Sequence, residues 1–225
     1  MKNNFGNFLF TLLLLLLSNL GWSQSNAIKI KFIGNCGLYL TDGTTNIYTD
    51  FPYKSGAYNY MEYDASELDS IRENSIFIFT HRHADHYSKK QLKTALKSKG
   101  GKKYGSWNIA ELEALGTHLP EFSIQTFKTK HRFSISHYSY LITWHGKKIF
   151  LSGDTETAET IRHQKGLEWA FVPPWVIIDA MRKDIKIDTK MFGVYHLYPN
   201  QKINNDSPEK IKIMDTQGEV IVIPY

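Results

Sequence analysis

One short segment constrains the fold of this chain more than any other. Residues 75–79 (SIFIF) are apolar at every position after Ser75, which is typical of a strand buried on both faces and predicts a central strand of a sheet. Four polar side chains with metal-binding atoms follow within six residues: His81, His83, Asp85 and His86. A buried strand that ends in such a cluster predicts a site at the edge of a sheet.

The spacing of these four residues indicates how they can share a site. In an extended segment His81 and His83 point the same way, and the following turn directs Asp85 and His86 towards an adjoining space. Neutral imidazole and carboxylate are the ligands that zinc and similar ions prefer, and the spacing differs from the helical pattern with histidines four residues apart. The alternative is a chance cluster on a surface loop, which nine histidines in 225 residues make hard to obtain.

Three later residues are further candidate ligands, and each lies beside a predicted strand end. His131 precedes a strand, Asp154 lies in a Ser-Gly-Asp-Thr segment after an apolar strand, and His196 follows another strand. Loops at one rim of a sheet can converge, so these residues can join the first four. Taken singly, each also has an ordinary structural explanation.

The remaining pattern predicts one domain with sheets inside and helices outside. An Asp42-Gly43 turn predicts a hairpin, and alternating apolar and basic residues at 27–33 predict an edge strand. Strands are predicted at 27–33, 38–41, 46–50, 75–79, 102–104, 121–129, 138–144, 147–151, 169–172, 191–195 and 220–223. Helices are predicted at 66–72, 89–97, 107–115, 155–164 and 207–214. Ser88 is the expected N-cap of the second helix and Thr155 that of the fourth, and Pro208 lies in the first turn of the last. Residues 177–190 are read as a short helix and a turn.

Residues 1–23 have the layout of a secretory signal peptide. Lys2 is followed by an apolar run at 8–17, and Gly21 and Ser23 place small residues before a cleavage point. We expect cleavage before Gln24, a mature hydrolase domain at 24–225, a secreted or periplasmic location and no stable membrane anchor after cleavage. An uncleaved anchor is the alternative.

Composition narrows the class of partner. The formal net charge is +5, which suits an anionic small-molecule substrate but is too weak and too scattered to indicate nucleic acid. The single cysteine, Cys36, cannot form an intramolecular disulfide, so the core and bound metal are expected to hold the fold together. The pattern gives no oligomeric state.

The motifs together resemble the metallo-β-lactamase superfamily. The resemblance rests on Thr-His-Arg-His-Ala-Asp-His at 80–86, then His131, then Ser-Gly-Asp-Thr at 152–155, then Tyr195-His196, in that order. It implies an α/β fold, an αββα sandwich of two mixed β-sheets packed face to face with helices on the outside. The local sequence is most similar to the L-ascorbate-6-phosphate lactonase-like branch, and less to tRNase Z, whose glycine-rich early motif is not found here.

The same resemblance implies how the ligands divide between two metal ions. One ion takes His81, His83 and His131; the other takes Asp85, His86 and His196. Asp154 bridges the two, and Asp50 lies beneath them as a partner of a ligand. The best-known zinc β-lactamases carry a cysteine where this chain has Asp154, and Cys36 is expected to lie too early in the chain to replace it.

These expectations define a reaction. Two divalent ions, zinc by preference with manganese or iron as alternatives, lie about 3.5–4 Å apart and lower the pKa of a shared water towards 7. The bridging hydroxide is expected to attack a small ester, lactone or phosphodiester while Asp85 orients it. Tyr198 is the candidate that protonates the leaving group, and its alternative is simple packing beside Pro199.

Other readings remain open at this point. The same fold can hold a metal or ligand without catalysis, and di-iron oxygen or nitric-oxide chemistry would need a flavin domain for which the chain has no room. His137 and His145 are expected to be structural, and His118 and His163 to lie on the surface. The tyrosine-rich segment 51–63 either closes over substrate or covers the sheet edge.

Overall fold

The chain folds around two six-stranded mixed sheets, seen in a computed structural model that describes residues 26–225. The predicted signal peptide at 1–23 lies outside the described residues. The strands are β1 (Ala27–Gly34), β2 (Gly37–Thr41), β3 (Asn46–Thr49), β4 (Ile76–Ile78), β5 (Lys102–Tyr104), β6 (Phe122–Thr129), β7 (His137–Trp144), β8 (Lys147–Leu151), β9 (Leu167–Val172), β10 (Thr189–Val194), β11 (Ile211–Ile213) and β12 (Val220–Pro224). In the first sheet the strand order is β12-β1-β2-β3-β4-β5, and in the second it is β11-β10-β9-β8-β7-β6.

Within each sheet the pairing changes once from antiparallel to parallel. Strands β12, β1, β2 and β3 pair antiparallel, whereas β3, β4 and β5 pair parallel. In the second sheet β6, β7 and β8 pair antiparallel, and β8, β9, β10 and β11 pair parallel. Since β1 has the same direction as β3 and β4, these three strands end at the same edge of the first sheet.

Three hydrophobic clusters separate the layers of the fold. The largest cluster lies between the sheets and includes Phe32 and Leu38 from the first and Tyr140 and Phe171 from the second. A second cluster covers the outer face of the first sheet, and a third covers the outer face of the second sheet. Helix, sheet, sheet and helix therefore follow one another, as predicted for an αββα sandwich.

The helices are short. Within residues 26–225 the α-helices are α1 (Ser66–Asp69), α2 (Lys89–Lys99), α3 (Ile109–Glu113) and α4 (Pro174–Arg182). Helix α2 packs on the outer face of the first sheet through Leu92 and Ala95, and α4 packs on the outer face of the second through Val176 and Ala180. Helix α3 instead contacts the cluster between the sheets through Leu112. Among residues 26–225 no helix has the length and apolar character needed to cross a membrane.

Most predicted elements are confirmed, including several bounds. Strands 102–104 and 147–151 and the hairpin around Asp42-Gly43 lie where they were predicted. Ser88 caps α2 and accepts a hydrogen bond from the Gln91 backbone N–H at 3.4 Å. Residues 75–79 are buried on both faces, as expected of an interior strand.

Three predictions were wrong. The 27–33 strand is not an edge, because β12 arrives from the far end of the chain and pairs with it. Thr155 begins no α-helix: the Glu156 and Ala158 N–H groups donate to Lys130 O and to the Asp179 carboxylate, and only a 3-10 turn, Ile161–His163, follows.

The third error is the helix at 207–214. Ser207 starts a single turn, with its carbonyl accepting from the N–H groups of Lys210 and Ile211, and the chain then enters β11. Parallel pairing of β11 with β10 satisfies the backbone groups that a longer helix would have satisfied internally.

Candidate metal centre

The site forms where strand ends of both sheets meet. From the first sheet come the β1–β2 turn, the residue after β3 and the segment after β4. From the second come the β6–β7 loop and the residues that follow β8 and β10. The seven residues predicted as ligands all lie here: His81, His83, Asp85, His86, His131, Asp154 and His196.

Three histidines form one group of donor atoms. His81, His83 and His131 each offer a ring nitrogen, and these atoms lie within 4.8 Å of one another. His131 Nε2 lies 3.1 Å from His83 Nδ1. The group unites the segment after β4 with the β6–β7 loop, and it is the set expected for the first ion.

The second group contains His86, His196 and Asp85. Asp85 Oδ2 lies 3.2 Å from His196 Nε2 and 3.8 Å from His86 Nε2. His86 and His196 are buried, whereas the Asp85 side chain is 19% exposed and lines an open cleft. This is the set expected for the second ion.

Asp154 lies between the two groups. Its Oδ2 atom is 3.1 Å from His196 Nε2, 3.7 Å from His131 Nε2 and 4.0 Å from His81 Nε2. Its Oδ1 atom is 3.2 Å from His86 Nε2. One carboxylate thus contacts histidines of both groups, which is the position a bridging ligand needs.

The ring nitrogens show that a metal fits. The Nε2 atoms of His81, His86 and His196 are buried and have no hydrogen-bond partner among the described residues. The Asp154 oxygens lie 3.2 Å from His86 Nε2 and 3.1 Å from His196 Nε2 without forming hydrogen bonds, and His81 Nε2 lies 4.0 Å away, beyond hydrogen-bond distance. Buried polar atoms without partners are costly, so nitrogens that converge on carboxylate oxygens fit divalent cations that complete them.

Asp50 fixes the orientation of His86. The Asp50 carboxylate accepts from Thr80 N at 2.8 Å, from Thr80 Oγ1 at 2.7 Å and from His86 Nδ1 at 2.9 Å. Since a carboxylate oxygen accepts, His86 Nδ1 carries a proton and donates it to Asp50. In the neutral ring the lone pair is therefore on Nε2, the atom that would bind a metal.

His137 holds the backbone of Asp154, and it does not line the cleft. His137 Nε2 accepts from the Asp154 N–H at 2.9 Å, so Nδ1 carries the ring proton and donates to Thr129 Oγ1 at 2.6 Å. The preceding Gly153 has φ 54°, and a Cβ there would approach His137 Nε2 to 2.7 Å. Glycine is therefore required for this close approach.

Cys36 was misjudged from the sequence. Its buried Sγ lies 3.7 Å from Asp154 Oδ1 as a hydrogen-bond donor, although 118 residues separate the two. It also belongs to the donor group of His86, Asp154 and His196. The sequence does not reveal this position, because the β1–β2 turn meets the ends of β3 and β4 only through the directions in which these strands pair.

The ionisation states agree with a metal site. Burial alone would raise the pKa of Asp154, but His196 and His86 hold it well below 3.8, so the carboxylate is ionised. Burial and the neighbouring His86 lower the pKa of His81 far below 6.5, which leaves a neutral imidazole. Against the effect of burial, Asp154 raises the pKa of His196 to about 9. The buried carboxylate thus draws positive charge to this point.

An open cleft of about 620 Å³ leads from solvent to these donors. Tyr198 lines it and is 39% exposed, and burial raises the pKa of its hydroxyl above 10. The tyrosines of segment 51–63 lie in two different places, the cleft and the surface of the first sheet. Tyr58 lines the cleft, whereas Tyr53 and Tyr63 pack on the outer face of the first sheet.

The arrangement of strands is shared with solved structures. YhfI from Bacillus subtilis, a metallo-β-lactamase fold protein, superposes with a TM-score of 0.63 over 88% of this chain and 99% of that chain, at 16% identity. This chain has the metallo-β-lactamase fold. Igni18, a metallo hydrolase from Ignicoccus hospitalis, gives 0.63 over 88% and 99% of the chains at 16% identity. A candidate metal-dependent hydrolase from Parabacteroides distasonis gives 0.63 over 84% and 94% at 21% identity.

At these identities the likeness is one of fold. No protein-family model and no curated protein matches the sequence. The likeness to the lactonase-like branch therefore stays a prediction.

Proposed function

We propose that this chain is a metal-dependent hydrolase that binds two divalent ions, zinc by preference, and cleaves a small ester, lactone or phosphodiester. The observation that carries the proposal is the Asp154 carboxylate between two groups of histidines whose buried ring nitrogens have no partner. Two proteins of the same fold agree with it: Igni18 is a metallo hydrolase, and the Parabacteroides distasonis protein is a candidate metal-dependent hydrolase.

The residues fall into two sets around Asp154. His81, His83 and His131 would hold one ion, and Asp85, His86 and His196 the other. When bound, such ions act as Lewis acids that polarise a carbonyl or phosphoryl oxygen and lower the pKa of water towards 7. Asp85 and Asp154 carry two negative charges, and two divalent ions would carry four positive charges. The floor of the cleft would then have a net positive charge and favour an anionic substrate.

Two side chains of the cleft have further proposed roles. The Asp85 carboxylate reaches the cleft and can accept a hydrogen bond from the attacking water, which orients it. Tyr198 lies on the rim and keeps its hydroxyl proton at neutral pH, so it can donate that proton to a leaving group. The mature protein is proposed to act outside the cytoplasm, on the strength of the sequence at 1–23.

The deciding experiment measures metal per chain and hydrolysis together. We expect two ions in the wild type by elemental analysis, and turnover within a panel of chromogenic esters, lactones and phosphodiesters. Asp154→Asn keeps the size but removes the charge, so at least one ion should be lost. Activity should fall by more than about 100-fold, since even partners behind the ligands contribute about 10–100-fold.

Single-site variants separate the two groups. His81→Ala should empty mainly the first site and His196→Ala mainly the second, with circular dichroism unchanged. His163→Ala removes an exposed imidazole outside the site and should keep both ions. One ion or none in the wild type, or two ions and full activity in Asp154→Asn, would overturn the proposal. Two ions without turnover of any substrate would favour a non-catalytic binder.

A further inference from the structure

One wall of the cleft is aromatic from the solvent down to the donor atoms. The Trp175 ring lies 5.1 Å from the His196 ring, and the Tyr198 ring lies 6.0 Å from Trp175. The Tyr58 ring follows at 5.4 Å from Tyr198 and is the most exposed of the wall. We call Trp175, Tyr198 and Tyr58 the aromatic wall.

The wall is fixed in place near its base. Trp175 Nε1 donates to the Thr155 carbonyl at 2.9 Å, which holds the indole beside the segment that carries Asp154. The Tyr198 backbone N–H donates to Gln201 Oε1 at 2.9 Å, which fixes the turn after His196. Rings held in this way present apolar surface to a ligand with little loss of side-chain entropy on binding.

The cleft also carries a cation. Arg132 lines it beside Phe133, with the guanidinium carbon 5.7 Å from that ring. Within residues 26–225 no carboxylate lies within ion-pair distance of Arg132. Glu156 lines the cleft as well, and its N–H donates to the Lys130 carbonyl at 3.2 Å, but its carboxylate forms no ion pair with Arg132. The Arg132 guanidinium can therefore attract an anionic group.

We infer that the substrate is a small anion with an aromatic group, and that this group packs against Trp175 and Tyr198 while the charged end faces the metal floor and Arg132. The inference rests on the proposed function and names its substrate class. A cleft of about 620 Å³ has the size of a small-molecule site. Aromatic rings pack favourably on one another at offset or edge-on geometry, and a cation in the same cleft supplies charge complementarity.

Two ligands of equal charge test the wall without any turnover. Phenylphosphonate and methylphosphonate share the group that faces the metals and differ in the ring. Calorimetric titration of the metal-loaded full chain should show phenylphosphonate binding at least fivefold more tightly than methylphosphonate. Tyr198→Ala should reduce this ratio to below about two, and Tyr198→Phe, which keeps the ring, should preserve it.

Further variants separate ring from charge. Trp175→Leu should lower the ratio, whereas Arg132→Gln should weaken both phosphonates equally and leave the ratio unchanged. Met181→Ala is the matched control, because Met181 lies on the same helix as Trp175, is 77% exposed and does not line the cleft. Circular dichroism and metal content are measured for every variant.

The outcomes distinguish this inference from the proposed function. Equal binding of the two phosphonates with two metals present, or no binding of either, overturns the aromatic substrate class and leaves the hydrolase proposal standing. A ratio that Tyr198→Ala and Trp175→Leu leave unchanged also overturns it. A wild type without metal overturns both, and elemental analysis identifies that case directly.

Discussion

At the scale of single residues, the site is built on unusual backbone conformations. Asp50 and His196 have φ values of 48° and 56°, in the left-handed region that non-glycine residues seldom adopt. Such conformations cost about 1–3 kcal/mol each and persist where the surroundings enforce them. Here they turn the chain sharply at a strand end and direct a side chain into the site, which no sequence pattern reveals.

The sequence was informative about the donors, and the family resemblance also implied Asp50 as the partner of a ligand, but the other supports were not predicted. His81, His83, Asp85 and His86 could be found because they cluster after an apolar run. The contacts of Cys36 and His137 with Asp154 could not, because they depend on the direction and register of strands far apart in sequence.

Asp50 tests the support of a ligand separately from the ligand itself. Asp50→Asn leaves one acceptor oxygen in place of two and removes the charge facing His86 Nδ1. We expect affinity for the second ion to fall by about 10–100-fold, less than in Asp154→Asn, with the first ion retained. Competition with a chromophoric chelator measures it. Unchanged affinity, or loss of both ions, would contradict the supporting role.

At the scale of elements, local sequence patterns predicted most strands correctly but did not predict which strands pair with one another. Alternation at 27–33 gives a strand with one polar face, but only the whole chain shows that β12 pairs with it. Ser207-Pro208 begins a helical turn as predicted, but after one turn the chain becomes β11 and pairs with β10. The competing partner is distant in sequence in both cases.

A histidine joins turns of the two sheets at a distance from the cleft. His145 Nε2 contacts Asp42 Oδ2 at 3.0 Å and its Nδ1 contacts Glu121 Oε2 at 2.6 Å. The Tyr225 ring stacks on the imidazole at 3.8 Å. Despite some desolvation, the two carboxylates raise the pKa of His145 above 6.5, while the pKa of Asp42 is lowered to about 2.

This cluster predicts a pH dependence of stability. A histidine with a raised pKa stabilises the fold fully below its unfolded value of 6.5, and the effect is lost as pH rises through the folded pKa. The wild type should therefore lose about 0.5–1 kcal/mol relative to His145→Gln between pH 6 and pH 9, since one carboxylate is exposed. Urea unfolding measures it, and His163→Gln is the control. Parallel pH profiles of wild type and His145→Gln would refute the prediction.

At the scale of the whole molecule, the first prediction concerns the start of the chain. The signal-like layout of residues 1–23 leads us to expect a mature protein that begins near Gln24, released outside the cytoplasm. Mass spectrometry of the exported protein checks this. An exported chain that retains Met1 would rule out cleavage.

The last prediction concerns the stability that metals give to the sandwich. His81, His83, Asp85 and His86 follow a strand of the first sheet, whereas His131, Asp154 and His196 belong to the second. Ions held by both sets therefore tie the two sheets together at one edge, in a chain whose sole cysteine is free.

Ligands that bind only the folded state stabilise it by mass action. An ion at 100 times its dissociation constant contributes about 2.7 kcal/mol. For a domain of this size each kcal/mol raises the melting temperature by about 2–4 °C, so excess EDTA should lower it by about 5–10 °C for each ion removed. Asp154→Asn, which holds fewer ions, should show a smaller shift, because less binding energy is lost on chelation. Differential scanning calorimetry with and without EDTA measures both shifts. An unchanged wild-type melting temperature after complete metal removal would mean that the two sheets hold together without the ions.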